Sequence, residues 1–306
     1  MDAKTGLLLA LGAIAVFYIV ILGAELIRRR REQVASGGAI ESDRPTVAGV
    51  TIGFVTNFLD TLGIGSYATT TSMFRIWKTV PDERIPGTMN IGHTLPTIVE
   101  AFIFTQIVPI EARTLILMIA ASVAGAWLGA GVVASWPRRA VQVGMGVALF
   151  VLAALMLAGM LKLTPPGGSA LALSGTKLMI AVVVNFILGA LMTLGIGLYA
   201  PCMILISLLG MNPVAAFPVM MGSCAFLMPV ASVRFIRSGR FDPRALLGLL
   251  VGGIPAVLIA AFLVKSLDLD TMRWLVVIVV VYTASSLLRT ARRERAAAAA
   301  ATVATA

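Results

Sequence analysis

The chain has 306 residues, 59% of them hydrophobic and 12% charged, with a mean hydropathy of +0.97, whereas an ordinary soluble domain carries about 25% charge. A water-soluble fold of that make-up would have no polar surface to present, which leaves a membrane domain as the expectation. The formal charge of +10 sits in short bursts at the ends of apolar runs, as the positive-inside bias requires, and so does not indicate a nucleic-acid partner.

The first apolar stretch, residues 6–27, lacks a basic leader and ends in Arg28, Arg29, Arg30 and Arg31. It reads as a retained N-terminal helix within residues 1–31, with its N-terminus periplasmic and its C-terminal end cytoplasmic. A polar linker from Glu32 to Pro45 follows. Beyond it the apolar runs are 46–77, 86–108, 112–135, 138–161, 174–209, 213–235, 244–265 and 271–289. At roughly 20 residues per crossing the chain has room for about seven to nine membrane segments in one transmembrane domain. The runs 46–77 and 174–209 are too long: as continuous helices they would reach about 48–54 Å, against a hydrocarbon core of about 30 Å. The alanine-rich end, 296–306, carries no pattern and is expected to be a disordered tail or a frayed helix extension.

Both long runs have glycines at their middles, and these expose a duplication. Thr61-Leu62-Gly63-Ile64-Gly65-Ser66-Tyr67-Ala68 matches Thr193-Leu194-Gly195-Ile196-Gly197-Leu198-Tyr199-Ala200 at seven of eight positions, at an offset of 132. Each long run is followed by three ordinary ones, so the repeats cover residues 46–161 and 174–290. The predicted fold is an all-α polytopic membrane protein with one N-terminal helix and two four-segment repeats. In each repeat a broken, glycine-containing hairpin precedes three transmembrane helices.

If each long run enters, breaks and returns to its own side, the two copies are inverted; if it crosses once, they are parallel. The hairpin reading puts 18 of the 24 Lys and Arg residues on the cytoplasmic side, among them Arg75, Lys78, Arg138 and Arg139, and the single-crossing reading puts 16 there. The count favours inverted hairpins, most clearly at the short Trp136-Pro137-Arg138-Arg139 turn.

Broken backbone inside a membrane must face protein or a watery cavity, because hydrocarbon satisfies none of its polar groups. A helix restarting at Ser66 or Leu198 would point free N–H groups and the positive end of its dipole at that cavity, which is an anion site. The candidate lining between the two breaks is Gly63, Gly65, Ser66, Tyr67, Thr69, Thr70, Gly195, Gly197 and Tyr199, with Cys202 as a neighbour. Pro201 stands where the first copy has Thr69, so the two halves would be similar but not equivalent. Gly125 and Gly129, spaced as small-xxx-small, are expected to serve helix packing alone.

Asp60, His93 and Glu100 are candidates for proton coupling or gating, since acidic groups at membrane depth face a cavity or a partner. The duller roles are holding the broken backbone for Asp60 and a satisfied interior ring for His93. Asn57, Asn90 and Asn185 are expected to stitch helices together. Cys202 and Cys224 lie inside apolar stretches, so no disulfide framework or multi-cysteine metal site is indicated, and no cofactor either.

At Asn57 through Thr70, at Gly195-Ile196-Gly197, and at the Asn212-Pro213 and Pro229 segments the chain resembles the TauE/SafE family of sulfite and organosulfur anion exporters. The resemblance implies a multi-pass permease of the bacterial inner membrane whose partner is a small inorganic or organosulfur anion, embedded in membrane lipid and open to homo-oligomer formation. Proton-coupled uptake or exchange is the alternative. An intramembrane enzyme is a third reading, resting on Ser66 and His93 as an imitation of a serine–histidine pair.

Overall fold

The computed structural model describes residues 2–35, 44–133, 137–163, 168–192 and 197–304. Among the described residues it holds eleven α-helices, one short 3-10 turn (Pro213–Ala215) and no strand beyond an isolated bridge between Ala170 and Met211.

Six helices are long and apolar enough to cross a membrane. They are α1 (Ala3–Ala35), α6 (Arg138–Met160), α7 (Gly175–Met192), α9 (Ala216–Ser238), α10 (Pro243–Ser266) and α11 (Leu269–Ala304). The count is of the described residues, and two further helices, α4 (Ile85–Ile107) and α5 (Ala112–Val133), stand outside it. Helix α4 has 23 residues, but Asn90, His93, Thr94, Thr97, Glu100 and Thr105 lower its hydropathy. Helix α5 has 22 residues, and its side chains beyond Leu128 lie outside the described residues. Helix α11 runs well past the apolar run 271–289, because the arginines and alanines that follow are strong helix formers with no breaker among them.

The first over-long run is broken where its glycines stand, into α2 (Val47–Thr61) and α3 (Ser66–Trp77). At 1.5 Å per residue these are about 22 and 18 Å long, and neither alone covers a hydrocarbon core of about 30 Å. The Thr46 hydroxyl caps the start of α2 by accepting from the Gly49 N–H at 3.0 Å. At the other end the Gly63 N–H donates to the Asp60 carbonyl at 2.7 Å and the Ile64 N–H to the Leu59 carbonyl at 3.0 Å. That pair of bonds is a Schellman closure, and it places Gly63 at φ 92°, where a side chain would be strained. In the second long run α7 ends at Met192 and α8 (Tyr199–Leu208) begins at Tyr199; Thr193–Ile196, including the candidate Gly195, lie outside the described residues.

The chain forms two compact units. The first comprises residues 1–108 and 221–266, and the second 109–220 and 267–306. Helix α5 follows α4 in the chain but belongs to the second unit, where it packs on α7, while α10 belongs to the first, where it packs on α2 and α4.

In the first unit α2 and α10 meet through two glycine pairs at i, i+4: Gly49 with Gly53, and Gly248 with Gly252. A methyl group on Gly53 would stand 2.6 Å from the Gly248 carbonyl oxygen, so only glycine lets the two backbones approach this closely. Around this seam Ile52, Phe74, Met89 and Leu249 form one buried cluster. Tyr18, Leu22, Ile91, Phe241 and Leu246 form another. The Tyr18 hydroxyl donates to the Ile91 carbonyl at 2.6 Å and pins α1 to α4.

In the second unit a methyl on Gly125 would run into the Phe186 carbonyl, and one on Gly189 into the Ser122 carbonyl. Gly125 therefore packs as its spacing predicts; the surroundings of Gly129 lie outside the described residues. The Asn185 side chain donates to the Met118 carbonyl at 2.6 Å and ties α7 to α5. Helix α6 lies on α11, with Gly146 against Leu288.

Candidate functional site

Helix α4 carries a polar stripe at Asn90, His93, Thr94, Thr97 and Glu100, a spacing of three and four that keeps all five on one face. All five are buried. A polar stripe inside an apolar unit is tolerated only when its members satisfy one another, and the partners here come from the two arms of the break.

His93 joins both arms. Its Nδ1 lies 3.0 Å from Asn57 Oδ1 on α2, and its Nε2 lies 2.9 Å from Thr70 Oγ1 on α3. Because Asn57 Nδ2 donates to the Gly53 carbonyl at 2.7 Å, the oxygen of that amide faces the ring. Nδ1 therefore carries the hydrogen, and Nε2 accepts from the Thr70 hydroxyl. Both ring nitrogens are satisfied, and neither bonds Ser66, so the serine–histidine pair considered from sequence does not form.

Asn90 makes the next link. It donates to the Tyr67 hydroxyl oxygen at 2.8 Å and accepts from the Ser232 hydroxyl of α9 at 2.8 Å. The Thr94 hydroxyl donates to the Asn90 carbonyl at 2.6 Å. Since Tyr67 accepts from Asn90, its own O–H remains to be given to a ligand. One turn further along α4, Glu100 Oε1 accepts from the Thr61 hydroxyl at 2.7 Å, beside the buried Asp60.

The break itself ends at Gly65, with φ 88° and ψ 136°. A side chain built there would meet nothing within 4 Å, so the space beside it is open. Helix α3 then starts at a buried Ser66 with no side-chain cap on its first N–H groups. An uncapped start leaves those donors and the positive dipole end facing that space. The Thr69 hydroxyl does not supplement them in this conformation, because it donates back to the Ser66 carbonyl at 2.8 Å.

The structure thus brings Asp60, Gly63, Gly65, Ser66, Tyr67, Thr69, Thr70, His93 and Glu100 into the first unit. Gly197, Tyr199 and Cys202 belong to the second. There α8 starts one residue later than the duplication implies, with Leu198 before it and again no side-chain cap. Gly197 is exposed with nothing within 4 Å, whereas Tyr199 and Cys202 are buried. Among the described residues no group of three His, Cys, Asp or Glu is placed to hold a metal ion.

Residues 2–156 and 177–306 match the family described as sulfite exporter TauE/SafE. The chain belongs to that family. No curated protein and no solved structure matches it significantly. TauE/SafE membership places the chain among membrane transporters of sulfur anions, in agreement with its apolar helices.

Several members of the polar chain escape single-residue reasoning. Asn57 and Asn90 stitch helices as expected, and in doing so they position His93 and Tyr67. Thr61 reads from sequence only as the first residue of the duplicated motif, and Thr94 and Ser232 carry no chemistry-bearing signature of their own. The period of the α4 stripe was the available signal for Thr94; Ser232 had none, being a lone hydroxyl in an apolar run.

Proposed function

We propose that the protein exports a sulfur oxyanion, sulfite in the first instance, across the bacterial inner membrane, and that the anion binds at the start of α3. The carrying observation is the uncapped α3 N-terminus opening beside Gly65 onto free space, with the Tyr67 O–H as a further donor that Asn90 leaves unused. A dianion or monoanion needs donors without counter-charge, and a helix start supplies them. In the second copy, Gly197 ahead of α8 is proposed as the corresponding element.

The duplication is proposed to be structural as well as sequential. Helix α2 packs on α10, and its sequence counterpart α7 packs on α5, the counterpart of α10. That exchange of one helix between copies supports two related halves. The short α2 and α3 support a re-entrant hairpin, hence inverted copies, a periplasmic N-terminus and a cytoplasmic C-terminus. Cysteines placed at Lys78 and Arg138 in a cysteine-free variant should then resist an impermeant thiol reagent applied to intact cells. Labelling of both from outside establishes parallel copies.

Direction follows from charge. One elementary charge crossing the full field is worth about 2.3 kcal/mol per 100 mV, so a negative cytoplasm drives an anion outward without a coupled ion. Proteoliposomes with an imposed potassium diffusion potential and no pH gradient provide the test. Labelled sulfite should move towards the positive side. Movement that ignores the potential and follows only an imposed proton gradient replaces export with proton-coupled uptake or exchange.

A further inference from the structure

Within the polar chain of the first unit, Glu100 is only half satisfied. Its side chain is fully buried and Oε1 is held by the Thr61 hydroxyl, but Oε2 has no hydrogen-bond partner. Asp60, also buried and adjacent to Thr61, interacts with it electrostatically. Among the described residues the groups set against it carry no positive charge. Asp60 and Thr61 of α2 are set against it, and farther along the polar chain the titratable groups are His93 of α4 and Tyr67 of α3, the latter facing Asp60, Cys224 and Tyr18. On α10 the cationic groups, Arg244 and Lys265, stand at the two ends of the helix, and Lys4 of α1 bonds the Val108 carbonyl beyond the end of α4.

Two carboxylates in one dry unit repel each other, and they repel an anion arriving at the same break. Something of positive charge must therefore load before or with the anion. A metal ion such as Mg²⁺ or Ca²⁺ asks for about six oxygen ligands, and the single open oxygen at Oε2 does not provide them. A proton needs only that one.

Resting on the anion site proposed above, we propose that Glu100 is a proton-binding site whose loading admits the anion. The proton comes from the aqueous phase and forms an O–H bond at Oε2, which removes one negative charge from the unit. When the proton returns to water, the carboxylate is restored and the anion is expelled. The proton acts as a gate and the membrane potential remains the driving force. By linkage, proton and anion each raise the affinity for the other. Proton occupancy rises as pH falls, so anion binding and flux rise as pH falls.

The test uses the full-length protein with thiosulfate, an anion that stays ionised throughout the range, so that any pH dependence belongs to the protein. Infrared difference spectra across a pH titration should show the carbonyl stretch of a protonated carboxylic acid that is lost in Glu100→Gln and strengthened by thiosulfate. Under an imposed potential, wild-type flux should rise by up to about tenfold per unit as pH falls, the limit for one linked proton, and Glu100→Gln should lose that dependence. Identical spectra in wild type and variant, or an intact pH profile in the variant, overturn the proposal. If Glu100→Gln fails to insert, Thr61→Val takes its place: removing the hydroxyl on Oε1 must shift the same band, and an unshifted band overturns the assignment. Absence of sulfur-anion flux at every pH counts against export instead, and the infrared comparison still decides the proton site.

Discussion

The two glycine breaks share seven of eight residues, yet the helices that flank them are chemically unlike. Helix α2 carries Thr56, Asn57, Asp60 and Thr61, and the positions 132 residues later in α7 and beyond are Leu188, Gly189, Met192 and Thr193. Helix α3 begins with Ser66, Tyr67, Ala68, Thr69, Thr70 and Thr71; the matching segment at α8 reads Leu198, Tyr199, Ala200, Pro201, Cys202 and Met203. The glycine motif is kept in both copies, while the polar side chains that flank it are concentrated in the first. A duplicated membrane fold can separate the two demands: both copies supply a broken helix, and one of them supplies the groups that govern it.

The sharpest way to break this comparison is at Gly65. Its φ of 88° disfavours any L side chain, a strain of about 1–3 kcal/mol, and valine would also occupy the open space beside the α3 start. Gly65→Val is expected to insert and purify but to abolish anion flux in proteoliposomes. Normal flux removes the α3 start as the anion site.

The next effect belongs to the polar chain of the first unit. His93→Ala leaves Asn57 Oδ1 and the Thr70 hydroxyl unpaired in a buried place and opens a void where the ring stood. A destabilisation of about 2–5 kcal/mol is expected, read as a lowered midpoint in thermal unfolding of the detergent-solubilised protein. A shift close to zero means that the two arms of the break are held by something other than His93.

Legibility from sequence divided along the same line. The break between Thr61 and Ser66, the three helices after it and the restart at Ser66 were all visible, because glycine content and run length are local properties of the chain. The partnership of α2 with α10 was not visible. It depends on Gly49, Gly53, Gly248 and Gly252 meeting across nearly two hundred residues, and nothing in either segment names its partner. For the same reason His93 was readable as a buried ring but not as the strut between Asn57 and Thr70. Hydrogen-bond partners are set by tertiary packing, and periodicity shows only which face a residue occupies.

The glycine seams test whether the two units are built alike where their chemistry does not differ. Gly53→Ala forces a methyl against the Gly248 carbonyl and the Leu249 backbone, and Gly125→Ala forces one against the Phe186 carbonyl. Overpacking of this kind costs about 1–3 kcal/mol, and the two substitutions should lower the unfolding midpoint to a similar extent. A large loss for one with none for the other means that the units tolerate helix separation differently.

The smallest effect is expected at Gly197, the counterpart of Gly65. The two glycines match in the duplication, and a side chain at either would meet nothing within 4 Å. Gly65 is held at positive φ, whereas Gly197 directly follows Thr193–Ile196, which lie outside the described residues. Alanine at Gly65 must adopt that positive φ with ψ 136°, a strain of about 1–3 kcal/mol. Alanine at Gly197 meets no steric conflict, and with a backbone that suits an L residue it reduces the entropy of the unfolded chain, an effect of about 0.4–1 kcal/mol in favour of the folded state. Thermal unfolding of the pair separates the two ideas about why the motif is duplicated. If Gly65→Ala is destabilised and Gly197→Ala is neutral or slightly stabilised, the second break keeps its glycine for the open space in front of it and not for its backbone angle. Equal losses at both positions mean that the second break has the same conformational demand as the first.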